Sequence, residues 1–216
     1  MKPKFINDAD YKVTLYAKNN KQIWTCPIYK KWYGLKARTT EMYIQSRPTY
    51  NDVVVCEEWY LYSNFMNWIK TLPFDMKYLG ELHLDKDLKN TLGKIYSPET
   101  CSLIPYYIND AIRISYGSRG TYPLGVSKEI VPENSKRRKI YKASVRMFGK
   151  LKNLGRYETV NECHRAWQLG KIQYFNDIIE KYKTEPFYYS DVECSLITMR
   201  DKIQNEYDNN LETTYL

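Results

Sequence analysis

Residues 81–109 read ELHLDKDLKNTLGKIYSPETCSLIPYYIN, and this stretch decides the predicted fold of the first half of the chain. Its first residues alternate, which predicts a β-strand with Leu82, Leu84 and Lys86 on one face. The other face carries an imidazole and three carboxylates, from Glu81, His83, Asp85 and Asp87. The run 102–104 predicts a second strand, and the proline that follows suits the first turn of a helix. The stretch therefore predicts strand, loop, strand and helix, with Asn109 about one turn into the helix.

This plan resembles the ββα-metal core of the HNH, or His-Me finger, nucleases. The segments LDKDL, YSPETC and P-x-x-I-N also resemble phage-encoded HNH-type proteins that carry a C-terminal AP2 domain. The resemblance implies that Asp85 and Asn109 are oxygen ligands of a divalent metal, Mg²⁺ or Mn²⁺, placed on the scissile phosphate. The sequence departs from the family at one position, because Lys86 stands where the family has its general-base histidine.

Because the family's general-base histidine is replaced, we assign the catalytic roles at this site to other residues. A lysine at its ordinary pKa is protonated and cannot accept a proton, so Lys86 is assigned to the phosphate charge. His83 is the substitute base by residue type, two residues before Asp85, and an unidentified base is the alternative. Asp87 shares the predicted face of Asp85 and is expected to bind or orient the metal. The opposing interpretation is an ordinary polar strand without a site.

The amino-acid composition limits the class of protein and the type of partner that can be expected. The 216 residues are 43% hydrophobic and 15% aromatic, which excludes general disorder. The net charge of +8 favours a polyanionic partner. The sequence has no apolar run of about 20 residues and no signal-peptide pattern, so we expect a cytoplasmic protein (in the host cell if phage-encoded) without a membrane partner. Five scattered cysteines without C-x-x-C spacing predict reduced thiols.

Two amphipathic helices are predicted before the strand. The first opens at Cys26-Pro27, and the second covers 56–72 with an aromatic stripe that we interpret as core. Basic residues cluster in and just after the first helix: Lys30, Lys31, Lys36 and Arg38. Either a solvated face or contact with backbone phosphates explains this cluster.

From residue 120 the pattern changes to short strands, predicted at 122–127, 140–148 and 150–157. Between positions 134 and 157 nine residues are Lys or Arg and none is Asp or Glu. Alternation in the middle strand places Lys142, Ser144, Arg146 and Phe148 on one face. Solvated faces normally mix charge signs, so this basic face favours a nucleic-acid partner.

A capping box, Thr159-Val160-Asn161-Glu162, predicts the start of an amphipathic helix after the strands. Three strands followed by such a helix resemble the AP2 DNA-binding domain, with the Gly-Val opening matched at 125–126 and Leu-Gly-x-aromatic at 154–157. The resemblance implies that the sheet lies in the major groove of double-stranded DNA. The expected contact residues are Arg137, Arg138, Lys142, Arg146, Lys152 and Arg156. His164 is expected at the surface.

The predicted fold class is α+β, with a ββα-metal (HNH-like) core and N-terminal helices, followed by a three-stranded sheet plus helix (AP2-like) domain. The predicted boundaries are 1–118, 119–184 and an acidic helical tail, 185–216, that holds seven Asp or Glu against two Lys or Arg. The predicted function is a metal-dependent DNA endonuclease of nicking or homing type. The alternative is a catalytically inactive DNA-binding or regulatory protein on the same scaffold, which could also bind a host protein.

Overall fold

The computed structural model of the protein describes residues 4–89, 94–113, 121–132, 134, 136 and 138–216. The structure is mixed α+β, as predicted, and its sheets are small and separate. The chain divides into two compact units, unit 1 (Met1–Pro105) and unit 2 (Tyr106–Leu216). The division falls after Pro105, so the helix that begins at Tyr106 and the acidic tail both belong to unit 2. The predicted domain boundaries after residues 118 and 184 stay predictions.

The part of unit 1 that the structure describes forms six short strands and three α-helices. The strands are β1 (Thr14–Tyr16), β2 (Gln22–Thr25), β3 (Val54–Val55), β4 (Leu82–Asp85), β5 (Ile95–Tyr96) and β6 (Ser102–Pro105). The helices are α1 (Pro27–Arg38), α2 (Glu41–Ser46) and α3 (Tyr62–Thr71). Three 3-10 turns, Pro48–Tyr50, Glu57–Tyr60 and Met76–Glu81, connect them. The strands pair as β1 with β2 and β4 with β6, both antiparallel, and as β3 with β5 in parallel.

The core of unit 1 is aromatic and is organised by α1. Proline at the first helical position starts α1, and its buried residues are Ile28, Trp32 and Leu35, as the spacing predicts. The indole N–H of Trp32 donates to the Trp59 carbonyl over 2.8 Å, which satisfies the polar edge of a buried ring. The Trp59 ring packs edge-on against Phe65 with 4.9 Å between ring centroids.

The helix predicted over 56–72 is interrupted. Leu61 is extended (φ −92°, ψ 129°), and it separates the 3-10 turn Glu57–Tyr60 from α3. Leu61 forms a parallel bridge with Ile6, whose backbone bonds to Tyr60 and Tyr62 on either side. A long-range backbone pairing therefore replaces one helical turn, and local periodicity does not reveal it.

The described residues of unit 2 form three strands and three helices. The strands β7 (Val126–Lys128), β8 (Tyr141–Met147) and β9 (Lys150–Tyr157) form an antiparallel sheet in that order. The helices are α4 (Tyr106–Ile112), α5 (Val160–Lys183) and α6 (Ser190–Asp208). β7 begins later than predicted, because Gly125 is in the left-handed region (φ 75°) and a Cβ there would lie 1.9 Å from the Trp167 ring.

The predicted capping box opens α5. The Thr159 hydroxyl accepts from the Glu162 N–H, and the Glu162 carboxylate accepts from the Thr159 N–H. The acidic tail folds as α6 and packs against α5 through Val192, Leu196, Met199 and Ile203, which form its buried stripe. These residues recur at helical spacing in the sequence, which is consistent with this face, whereas the docking of the tail could not be predicted from that spacing.

Two expectations from composition concern cysteine and the membrane. The five cysteines are free thiols, as their number and spacing predict. In the part of the chain that the structure describes, no helix is both long and apolar enough to cross a membrane.

Candidate functional site

Asp85 ends β4 and begins a tight turn. It pairs with Ser102 of β6, and its Oδ2 accepts the backbone N–H groups of Asp87 (2.8 Å) and Leu88 (2.7 Å). An aspartate that accepts from the backbone two residues ahead forms an Asx-turn. The predicted alternation therefore stops at Asp85, which is only 7% exposed, and Asp87 does not continue the strand face.

Burial changes the acidity of Asp85. Removal from water raises its pKa to about 6, and the neighbouring charge of Asp87 adds to the rise. The two N–H groups act in the opposite direction by stabilising the charged carboxylate, and burial is the larger effect. A carboxyl group with this pKa exchanges its proton close to neutral pH.

Lys86 is buried beside this turn. Its ammonium group forms an ion pair with the Asp87 carboxylate and lies 5.9 Å from the centroid of the Tyr96 ring. The side chain is about 9% exposed, whereas that of Asp87 is 66% exposed. Lys86 therefore contributes to a local charge pair over an aromatic ring, and its predicted role towards a phosphate stays a prediction.

His83 is exposed on β4, opposite Ile104 of β6. The imidazole is partly removed from water, which lowers its pKa, and the positive charges of Lys31 and Arg38 on α1 also lower it. Lys31 donates from Nζ to the Leu82 carbonyl. Arg38 donates from Nη1 to the Leu84 carbonyl (3.5 Å) and to the Tyr96 hydroxyl (2.7 Å). The sequence indicated the basic cluster of α1 but gave no signal that it lies beside His83.

Asn109 lies in α4, as predicted, four residues after Pro105. It belongs to unit 2, whereas Asp85 belongs to unit 1. As predicted, β4 pairs with β6 and α4 follows, but the segment between β4 and β6 contains the two-residue strand β5, which pairs with β3. The partnership of Asp85 with Asn109 stays a prediction.

The donor set of unit 1 does not by itself fit a divalent metal. Mg²⁺ and Mn²⁺ need several oxygen ligands, yet one oxygen of Asp85 already accepts two N–H groups and Asp87 is paired with an ammonium. Among the described residues, no group of three or more His, Cys, Asp or Glu is placed to hold a metal ion. A metal bound by both Asp85 and Asp87 would compete with Lys86 for the Asp87 carboxylate.

The sheet of unit 2 has two different sides. One side packs on α5 and buries Ala143 and Val145 of β8. We call the other side the open face. It consists of Ser127, Lys142, Ser144, Arg146, Leu151, Asn153 and Arg156, which the register places opposite one another. Lys142 pairs with Arg156, and Arg146 pairs with Leu151, so positive charge runs along the central strand β8 and continues onto the edge strand β9.

The predicted contact residue Lys152 does not belong to the open face. It pairs with Val145, which points towards α5, and its side chain is exposed at the edge strand. A bulge causes the change, because the register shifts between Ala143 and Ser144 at Gly155 (φ 122°). The predicted Phe148 also lies elsewhere: it follows the end of β8, and its ring packs against Tyr174 of α5.

The arginines of this region differ in their partners. Arg156 is held by Glu129 through two hydrogen bonds, Nε to Oε2 (2.8 Å) and Nη2 to Oε1 (2.9 Å). Arg146 is exposed and donates to the Gly149 carbonyl over 2.9 Å. Arg138 is exposed before β8, and Arg137 lies outside the described residues. The pairing of Glu129 with Arg156 could not be predicted from the sequence, because the two residues are 27 positions apart.

The prediction that His164 lies at the surface is wrong. His164 is 3% exposed, and its ring stacks on Trp167. Nε2 accepts the Thr213 N–H over 3.0 Å, and Nδ1 lies 2.9 Å from the Leu124 carbonyl. This arrangement assigns the neutral tautomer with the proton on Nδ1. His164 fastens the C-terminal segment to α5.

Comparison of the whole chain with known proteins adds no family assignment. No protein-family model, no curated protein and no solved structure matches it.

Proposed function

We propose that the protein binds double-stranded DNA through the open face of the sheet in unit 2. The observation that carries the proposal is the pairing of Lys142 with Arg156 and the exposure of Arg146 on the same face. The opposite side of the sheet is packed on α5, so the basic side chains stand on a rigid support. Rigid elements hold contact residues more accurately than loops do.

The chemistry of the open face suits a duplex. A two-stranded β-ribbon fits the major groove, where Arg recognises guanine edges and Lys and Arg neutralise phosphates. Asn153 and Ser144 pair across β8 and β9 and supply polar groups beside the cations. Leu151 is 63% exposed and would contact an apolar thymine methyl. The three strands and α5 support an AP2-like domain as the finer description of unit 2.

The test is duplex binding as a function of salt, measured by fluorescence anisotropy of a labelled DNA. We expect the logarithm of affinity to fall linearly with the logarithm of salt concentration. The double variant Lys142→Gln/Arg146→Gln should bind weakly, with a slope reduced by about 0.9 for each lost phosphate contact. The control Lys4→Gln/Lys70→Gln removes the same charge from unit 1 and should retain the wild-type slope. Absence of binding at low salt would refute the proposal and favour a protein partner.

A second candidate function is cleavage of the bound DNA by an HNH-type site that involves Asp85 and Asn109. The observation that favours it is the sequence of antiparallel β4 and β6 followed at once by α4, which is the order of a ββα core. The raised pKa of Asp85 is also typical of functional carboxylates. The ion pair between Lys86 and Asp87 speaks against a preformed metal site.

A nicking assay on supercoiled plasmid with Mg²⁺ or Mn²⁺ distinguishes DNA cleavage from DNA binding alone. The endonuclease predicts metal-dependent nicks that Asp85→Asn abolishes while DNA binding is retained. A protein that binds duplex DNA and leaves the plasmid intact with either metal is the non-catalytic DNA-binding protein. Lys86→His restores the residue type that the HNH family has at this position. Gain of nicking in that variant would show that Lys86 is the reason why the wild-type site is inactive.

A further inference from the structure

Unit 1 carries a second basic cluster, distinct from the open face. It lies where α1 borders β4 and consists of Lys31, Arg38 and His83. Lys31 and Arg38 are seven residues apart, close to two helical turns, so they lie on the same side of α1. They donate to the carbonyls of Leu82 and Leu84, the two residues that flank His83.

The charges of Lys31 and Arg38 are not balanced by a hydrogen-bonded carboxylate within the described residues. The hydrogen-bond acceptors of Lys31 and Arg38 are two backbone carbonyls and the Tyr96 hydroxyl, all of them neutral. α1 itself contains no acidic residue. Burial, together with the charges of Lys30 and Arg38, lowers the pKa of Lys31 to about 8. Cations that are partly buried without a counter-ion are costly, and an anion would relieve that cost.

The cluster also retains unused donors. Among the described residues, Arg38 makes its hydrogen bonds through Nη1 alone, which leaves Nε and Nη2 of its fork available. The Lys31 ammonium has three N–H donors, and one is used on the Leu82 carbonyl. His83 is exposed and lies between Leu82 and Leu84, whose carbonyls accept from Lys31 and Arg38, so an anion at the imidazole is attracted by both cations.

We propose that Lys31, Arg38 and His83 form an anion site on unit 1 that binds one phosphodiester group of a DNA backbone. A phosphate oxygen pair suits the free edge of the guanidinium, and the ammonium and imidazole supply further donors. The site would give the protein a sequence-independent contact besides the open face. The identity of the ligand rests on the proposed DNA binding, whereas the anion site itself can be tested without DNA.

The first test uses the two histidines of the full chain as reporters in an NMR spectrum at constant pH. Inorganic phosphate is added against chloride at equal ionic strength. We expect a saturable shift of the His83 ring signals, and no shift of His164, which is buried between Leu124 and Thr213. Arg38→Gln should remove the shift, and the exposed control Lys70→Gln should keep it. Unchanged His164 signals report that unit 2 is folded in each variant, and backbone amide signals of unit 1 that keep their wild-type dispersion report the same for unit 1.

The second test replaces phosphate by a duplex oligonucleotide. We expect the His83 signals to shift again, and the salt slope of duplex binding to fall by about 0.9 in Arg38→Gln, which corresponds to one phosphate. His83→Gln, an exposed substitution that leaves Lys31 and Arg38 in place, should also weaken binding.

The possible outcomes separate the two proposals. A phosphate response without any duplex response overturns the assignment to a DNA backbone and leaves a site for free phosphate. Duplex binding that requires the open face but is unchanged in Arg38→Gln and His83→Gln overturns the anion site and leaves the proposed function standing. No His83 shift with either ligand overturns the inference entirely.

Discussion

Lysine and arginine side chains occur both around β4 and on the open face, but their surroundings differ. In unit 1, Asp85 accepts backbone N–H groups and Lys86 is buried against Asp87 and Tyr96. In unit 2, Lys142 and Arg146 stand on the outer side of a sheet whose inner side is packed. A charge that is buried and bonded mainly stabilises its own segment, whereas an exposed row on a rigid sheet is available to a partner.

The largest effect should come from disturbing the packed side of the sheet in unit 2. Gly125→Ala places a methyl group 1.9 Å from the Trp167 ring at φ 75°, so we expect a loss of about 3 kcal/mol or more in unfolding free energy. Gly149→Ala is the matched control, with φ 77° and nothing within 4 Å, and should cost about 1 kcal/mol. Urea denaturation measures both. Equal losses would show that the contact with Trp167 is unimportant.

Next in size is the pH dependence that Asp85 imparts to unit 1. The folded pKa of about 6 lies above the ordinary 3.8, so the folded state holds more protons between these values and stability falls as pH rises from 4 to 6. The contribution is about 3 kcal/mol. Asp85→Asn retains an acceptor oxygen for the turn and should lose this dependence.

This effect is measured as the unfolding free energy of both proteins from pH 4 to pH 8. Subtracting the two curves removes the contributions of the other titrating groups. Parallel curves would mean that Asp85 titrates normally and is not desolvated.

The third prediction tests the register of the open face. Arg146→Ala should weaken duplex binding by about tenfold, within the 1–3 kcal/mol of a good base contact. Lys152→Ala removes the same charge from the neighbouring strand, but its position opposite Val145 places it on the helix-facing side, and it should change affinity less. Anisotropy titrations at one salt concentration compare the two. A larger effect of Lys152 would reverse the assignment of faces.

The smallest effect should come from the ion pair on Arg156. Glu129 occupies the Nε–Nη2 edge of this guanidinium, so Glu129→Gln should loosen Arg156 and tighten duplex binding by a few-fold, as expected for an exposed ion pair. Glu158→Gln, an exposed acid just beyond β9, is the control for the change in net charge. Equal gains in both variants would reduce the effect to long-range electrostatics.

Local patterns in the sequence predicted much of the framework. The strand, loop, strand and helix order of residues 81–109 is present, and the capping box at Thr159 starts α5. The apolar stripes of α1, α5 and α6 mark their buried faces. These signals are carried within a few residues of each other, so a single sequence contains them.

Features that depend on the geometry of a turn or bulge, or on residues distant in the sequence, were not predictable. Asp85 leaves the strand alternation because it caps its own turn, and a bulge at Gly155 moves Lys152 to the other side. His164 is buried because Thr213, 49 residues later, donates to it. Lys31 and Arg38 lie beside His83 only because α1 folds against β4. Side-chain chemistry at the candidate sites is therefore decided by tertiary contacts.

The most direct test of the central claim is a map of backbone amide shifts in unit 2 on addition of duplex DNA. Binding through the open face predicts the largest changes in β8 and β9, at Lys142, Ser144 and Arg146, with small changes along α6. Changes concentrated on α6, or no changes at low salt, would contradict the account.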